Sequence, residues 1–152
     1  MKLSTSDIVK TLEVLVKIPL YATLGVAANN LVYLSTQEGV RSLWSIDLES
    51  KKVKRLTVEP IHETAIPVAT SPYTVFTRDV TKGKELHKVF YVDVRTGKED
   101  LLADTPLMRI FGIAFNGFYV AFTGATAVDT AIYLAKMDGS WEKIVKLETL
   151  AF

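Results

Sequence analysis

The sequence has no cysteine and only two histidines, His62 and His87. The first absence excludes disulfides, iron–sulfur clusters and thiolate zinc sites, and two histidines leave little for an imidazole metal site. No metal and no cofactor are therefore expected. A charge excess of one sign is also missing: 18 Lys and Arg stand against 17 Asp and Glu, a net charge of +1. Attraction to nucleic acid or to an anionic membrane needs a clustered basic surplus. The local basic run Lys51, Lys52, Lys54 and Arg55 has no interleaved aromatic on which a base could stack, and it reads as a solvated edge strand. Uncharged apolar runs stay well short of the ~20 residues of a spanning helix. Ser4, Thr5, Ser6, Asp7, Lys10 and Glu13 break what would be the apolar core of a secretion signal. The expectation is a soluble, cytoplasmic protein with neither nucleic acid nor membrane as partner.

Catalytic motifs are equally scarce. The serines all lack the Gly-x-Ser-x-Gly context of a nucleophile elbow, and Gly139-Ser140 sits in "MDGSWE", which reads as a hairpin turn. His62-Glu63 has no second histidine four residues on, so a zinc-protease helix is excluded. "TKGKE" and "FTGAT" carry one glycine each and are no phosphate loop. Glu99-Asp100 reads as solvated charge around a turn. The chain has no self-contained active site and no assignable catalytic residue.

What the 152 residues do have is a hydrophobic content of 49%, enough for one domain with a sizeable core. Over residues 1–19 a short amphipathic helix is predicted. Ser4, Ser6 or Asp7 can cap it, Ile8, Leu12 and Leu15 form the stripe with Val9 and Val16 beside it, and Pro19 ends it. That stripe either packs on its own domain or docks on a partner surface.

After Pro19 the period changes to two. "LVYLST" from Leu31, "TVFTRD" from Thr74 and "YVAFTG" from Tyr119 are versions of one strand, and the next strand recurs from Leu43, Val89 and Ala131. "TLGVAA", "AIPVAT" and "IFGIAF" precede them, and "KVKRLT", "EDLLAD" and "EKIVKL" follow. Four strands every 40–50 residues is the spacing of a β-propeller blade. The predicted fold is thus mostly β: a partial propeller over 20–152, with about three four-stranded units at 21–58, 63–104 and 108–148 and the start of a fourth at 149–152. The innermost strands "IPVAT" and "FGIAF" are expected to be short. Propellers typically have 4–8 blades, so the expectation is the front part of a longer architecture, or a chain that completes itself by association.

From Glu59 onward, "EPI", "TRDVTKGKELH", "FYVDV", "MRI" and "FTGAT" followed by a strand and "DG" closely resemble the N-terminal propeller of archaeal acylaminoacyl peptidases, members of the prolyl oligopeptidase family. The resemblance covers about two thirds of the chain well, and the first unit more loosely. It implies a seven-bladed propeller that restricts access to a C-terminal α/β-hydrolase domain. In the family that domain carries a Ser-Asp-His triad and releases N-acylated amino acids from blocked peptides. The N-terminal helix would cross onto it, giving Ile8, Leu12 and Leu15 a docking role. This sequence holds only about three blades and no hydrolase domain, so no triad residue carries over. Glu85 in "GKELH" and Arg109 in "MRI" match positions near the family's substrate cleft and are expected to orient substrate, or else to pair with each other within the propeller. Phe152 matches an aromatic position that helps line the family's acyl pocket.

Two functions from different classes follow. One is a non-catalytic propeller part of an acylaminoacyl peptidase-like serine peptidase, whose partners are the hydrolase domain and further blades. The other is a stand-alone interaction protein that forms homo-oligomers through open blade faces.

Overall fold

A computed structural model describes residues 4, 6, 9, 10, 14, 17–62 and 65–148. Twelve strands form three four-stranded antiparallel sheets. The first holds β1 (Tyr21–Ala27), β2 (Asn30–Ser35), β3 (Ser42–Asp47) and β4 (Val53–Arg55) in that order. The second holds β5 (Ala65–Pro67), β6 (Tyr73–Asp79), β7 (His87–Asp93) and β8 (Glu99–Leu101). The third holds β9 (Arg109–Phe115), β10 (Tyr119–Ala125), β11 (Thr130–Lys136) and β12 (Trp141–Leu147). Each sheet is a meander whose consecutive strands pair, so the repeat in the sequence is a repeat of whole sheets.

The turn into each outer strand is closed by the same device. A carboxylate oxygen accepts the amide two residues on, from Asp47 to Glu49 at 3.1 Å, from Asp93 to Arg95 at 2.9 Å and from Asp138 to Ser140 at 2.9 Å. Such local bonds give the backbone a turn in place of a continued ladder. Hydrogen bonds from the Ser50 amide, the Arg95 side chain and the Ser140 hydroxyl, respectively, hold the three carboxyls below the usual carboxylate range. In "MDGSWE" the chain reverses at Gly139, whose φ of 89° favours glycine.

Packing places the second sheet between the other two. In β6, Val75 joins a core shared with Val89, Leu102, Met108, Phe122 and Tyr133, while its neighbour Phe76 joins a core shared with Leu34, Leu43, Leu56 and Val92. Successive side chains of a strand point to opposite faces, and in β6 the consecutive residues Thr74, Val75, Phe76 and Thr77 are all buried, as a strand covered on both sides requires. Gly124 of β10 lies against Met108, and a Cβ there would collide with the Met108 sulfur. The inner strands β1, β5 and β9 lie near one another in turn, the arrangement of propeller blades around an axis. The three units are therefore successive blades of a partial propeller.

Three expectations need correction or placement. Among the inner strands only β5 is short, at three residues, whereas β1 and β9 run for seven. Both long strands carry a register shift, at Thr23/Gly25 on β1 and opposite Thr123/Gly124 on β9, so they bend rather than stop. Glu99 is not merely solvated, because it pairs with Arg78. No helix stands among the described elements. The helix expected over 1–19 falls largely outside the described residues, although the isolated described positions Ser6, Val9, Lys10 and Val14 have helical backbone. Ile8, Leu12, Leu15 and Phe152 all lie outside the described residues.

Candidate functional site

The loop between β6 and β7 turns sharply, with positive φ at Lys82 (55°), Gly83 (112°) and Glu85 (55°). Two non-glycine residues in left-handed backbone need support from elsewhere. Asp79, at the end of β6, provides it. One of its oxygens accepts from the Thr81 amide at 2.7 Å and the Thr81 hydroxyl at 2.6 Å, and the other accepts from the Gly83 amide at 2.7 Å and the Glu85 amide at 3.2 Å. These donors, first of all the Thr81 hydroxyl, hold the carboxyl far below the usual carboxylate range. The charged segment "DVTKGKE" is thus organised around one buried-in-donors carboxylate, and its end presents Glu85.

Arg109 opens β9 in the next sheet, and its guanidinium pairs with the Glu85 carboxylate. Both side chains remain more than half exposed, so the pair contributes ~0–1 kcal/mol to stability. It forms the rim of a depression of ≈ 200 Å³ lined also by His62, His87, Ile110 and Phe111. Phe111 is exposed and gives this depression an apolar wall. A second, larger depression of ≈ 440 Å³ adjoins it at His62 and is lined by the connector residues 59–62 with Arg78, Asp79 and Lys82.

Beneath the rim the two histidines meet, ring centroids 4.1 Å apart and planes tilted by 39°. His62 belongs to the connector between the first and second sheets. Its amide donates to Thr77 O at 2.8 Å and its carbonyl accepts from Arg41 Nη1 at 2.9 Å. His87 is 1% exposed. Its amide donates to Met108 O at 2.7 Å, and its Nδ1 accepts the Ile110 amide at 3.1 Å, while Nε2 is buried without a partner. Burial, followed by the neighbouring His62, pushes its pKa down; Asp79 and Glu85 oppose the shift and Arg109 reinforces it.

The connector is held from the other side by Arg78. Its Nε donates to Pro60 O at 3.1 Å and Nη2 to Glu59 O at 3.3 Å. The same fork pairs with both Glu99 oxygens, the second at 3.0 Å, and lies over the rings of Phe76 at 5.4 Å and Phe90 at 4.9 Å.

Glu85 and Arg109, 24 residues apart, are therefore brought together as an ion pair within the propeller, one of the two expectations for them. The His62–His87 contact and the Arg78 clamp were not foreseen. Both depend on which sheet faces which, and the sequence signals only that two arginines and two histidines flank strand ends. Chemically, a guanidinium has five donors, and the Glu85 pairing leaves several of them open to carbonyl oxygens. Among the described residues lining the depression there is no serine, threonine or cysteine. Among the described residues no group of three His, Asp or Glu could hold a metal ion, and no helix is long and apolar enough to cross a membrane.

The three successive blades define a β-propeller-like module. Residues 32–152 match the family described as acylamino-acid-releasing enzyme-like, N-terminal domain, and the chain belongs to that family. Solved structures agree on the fold. An oligogalacturonate lyase in complex with manganese superposes with a TM-score of 0.64 at 11% identity over 84% of this chain and 41% of its own. The oligogalacturonate lyase of Vibrio parahaemolyticus gives 0.61 at 13% identity over 85% of this chain and 41% of its own. TolB from Acinetobacter baumannii gives 0.56 at 15% identity over 84% and 32%. The chain thus spans less than half the length of each of these proteins.

Proposed function

We propose that this chain is the substrate-gating and substrate-orienting propeller part of an acylaminoacyl peptidase-like serine peptidase, with bond cleavage belonging to an α/β-hydrolase domain set against the Glu85–Arg109 face. Membership of the acylamino-acid-releasing enzyme-like N-terminal family supports this reading. The observation that carries it is the exposed Glu85–Arg109 pair on the rim of a depression with an apolar wall. A peptide offers backbone carbonyls to the guanidinium and an apolar side chain or acyl group to Phe111. Because the pair is solvent-exposed, its replacement should leave the fold intact and act on substrate.

In the complete enzyme, Glu85→Gln and Arg109→Gln are each expected to lower kcat/KM for acyl-peptides about tenfold, equivalent to about 1.4 kcal/mol of transition-state stabilisation. Unchanged kinetics with every acyl-peptide tried would overturn the orienting role. The isolated chain is expected to release no acylated amino acid.

A second reading has its own observation. The outer face of the third sheet leaves Val145 exposed beside Ile132, and a partner blade would cover it. A self-associating interaction protein would use that face, as would a further blade of the same propeller.

A further inference from the structure

His87 joins three parts of the molecule at one point. It begins β7 of the second sheet, its ring rests on His62 of the preceding connector, and two of its atoms bond to the third sheet at Met108 and Ile110, on either side of Arg109. The bond from the Ile110 amide fixes the tautomer. An N–H can donate only to a nitrogen without a proton, so in the neutral ring the proton sits on Nε2. Protonation of the ring would place a hydrogen on Nδ1 facing the Ile110 N–H, and the acceptor would become a second donor. The neutral ring therefore holds the start of β9 and the cation cannot.

We propose that His87 is a proton-sensitive positioning residue that sets Arg109 on the rim when neutral and releases the adjoining backbone at Ile110 when protonated. The groups facing it are His62 on the connector, Asp79 at the end of β6, Glu85 on the β6–β7 loop and Arg109 on β9. The two carboxylates favour the cation, but both are engaged, Asp79 by the loop donors and Glu85 by Arg109. Burial beside His62 and Arg109 disfavours it, so the change falls on the acid side of the ordinary value of 6.5. The functional meaning of the device rests on Arg109 orienting substrate; the device itself does not.

The test is nuclear magnetic resonance on the 15N-labelled chain, titrated from about pH 7.5 to about pH 5, the range in which a perturbed histidine changes charge. The expected result is a bare Nδ1 and a protonated Nε2 at the upper end. The Ile110 amide and the Arg109 Nε–H should then shift together with the His87 midpoint, below 6.5. In His87→Asn the side-chain oxygen can still accept from Ile110 without titrating, and the shared shift should vanish while the upper-end spectrum around Ile110 is kept. A proton on Nδ1 at the upper end would overturn the proposal. So would a His87 titration that leaves Ile110 and Arg109 unmoved, or an undiminished response in His87→Asn, which would assign it to His62. Failure of the orienting role would instead appear as unchanged peptidase kinetics with the spectroscopic result intact.

Discussion

Arg78 carries more of the inter-sheet geometry than any residue of the rim, because one planar fork serves two backbone carbonyls, two carboxylate oxygens and two aromatic faces. Lysine keeps the charge but loses the fork, so Arg78→Lys should lower stability by about 1 kcal/mol, the net worth of a typical hydrogen bond whose acceptor water can still reach. A denaturant midpoint that falls with unchanged slope would check this. The pH dependence of stability separates two other residues. His87 has its folded pKa below the unfolded 6.5, so the unfolded chain binds more protons between those values and stability falls as pH drops through that window. Asp79 has its folded pKa far below the unfolded 3.8, so its contribution is complete above 3.8 and is lost only as pH falls further. Denaturation midpoints measured against pH should therefore fall in two steps, with His87→Asn removing the upper one and Asp79→Asn reducing the lower, to which Asp47, Asp93 and Asp138 also contribute.

At the scale of elements, the sheets were readable because each strand alternates, each turn into an outer strand carries an aspartate, and the whole set recurs about every 44 residues. The rim was legible only in part. Glu85 and Arg109 stand out as charges at strand ends, but the loop geometry made by Asp79 and the contact of His62 with His87 are set by inter-sheet packing, which leaves no period. The outer strands differ in a way periodicity does not show. β4 and β8 have three residues each and β12 has seven, exposed nearly throughout. A long edge strand is an aggregation hazard that lysines counter. Lys143, bonded to Asp129 at 2.7 Å, and Lys146 lie along it. Replacing both with valine should leave the other two sheets unchanged and raise light scattering on storage; an unchanged scattering curve would show that the edge is protected by another feature.

For the whole molecule the decisive feature is that, among the described residues, the second sheet shares a core with another sheet on both faces and each of the other two sheets on one. The outer face of the third sheet presents Ile132 beside Val145 in register, with Leu134 flanked by Ala121. The other face of the first holds Tyr21, Tyr33 and Trp44 as a row with ring spacings of 6.3 and 6.5 Å, with Tyr21 exposed and Trp44 already buried. The two faces differ, so contact between them is heterologous: it closes into a ring or runs on as a filament. Two copies would bring six sheets, within the ~4–8 blades of closed propellers. Each Å² of apolar surface covered is worth roughly 25 cal/mol, which favours closure whenever no further blade occupies the face. The isolated chain is accordingly expected to sediment above its 16.9 kDa monomer mass at micromolar concentration. Ile132→Lys, which puts a charge in the middle of the third sheet's face, should return it to the monomer. A monomeric, folded wild-type chain would overturn the self-associating reading and leave the open face to the rest of a peptidase.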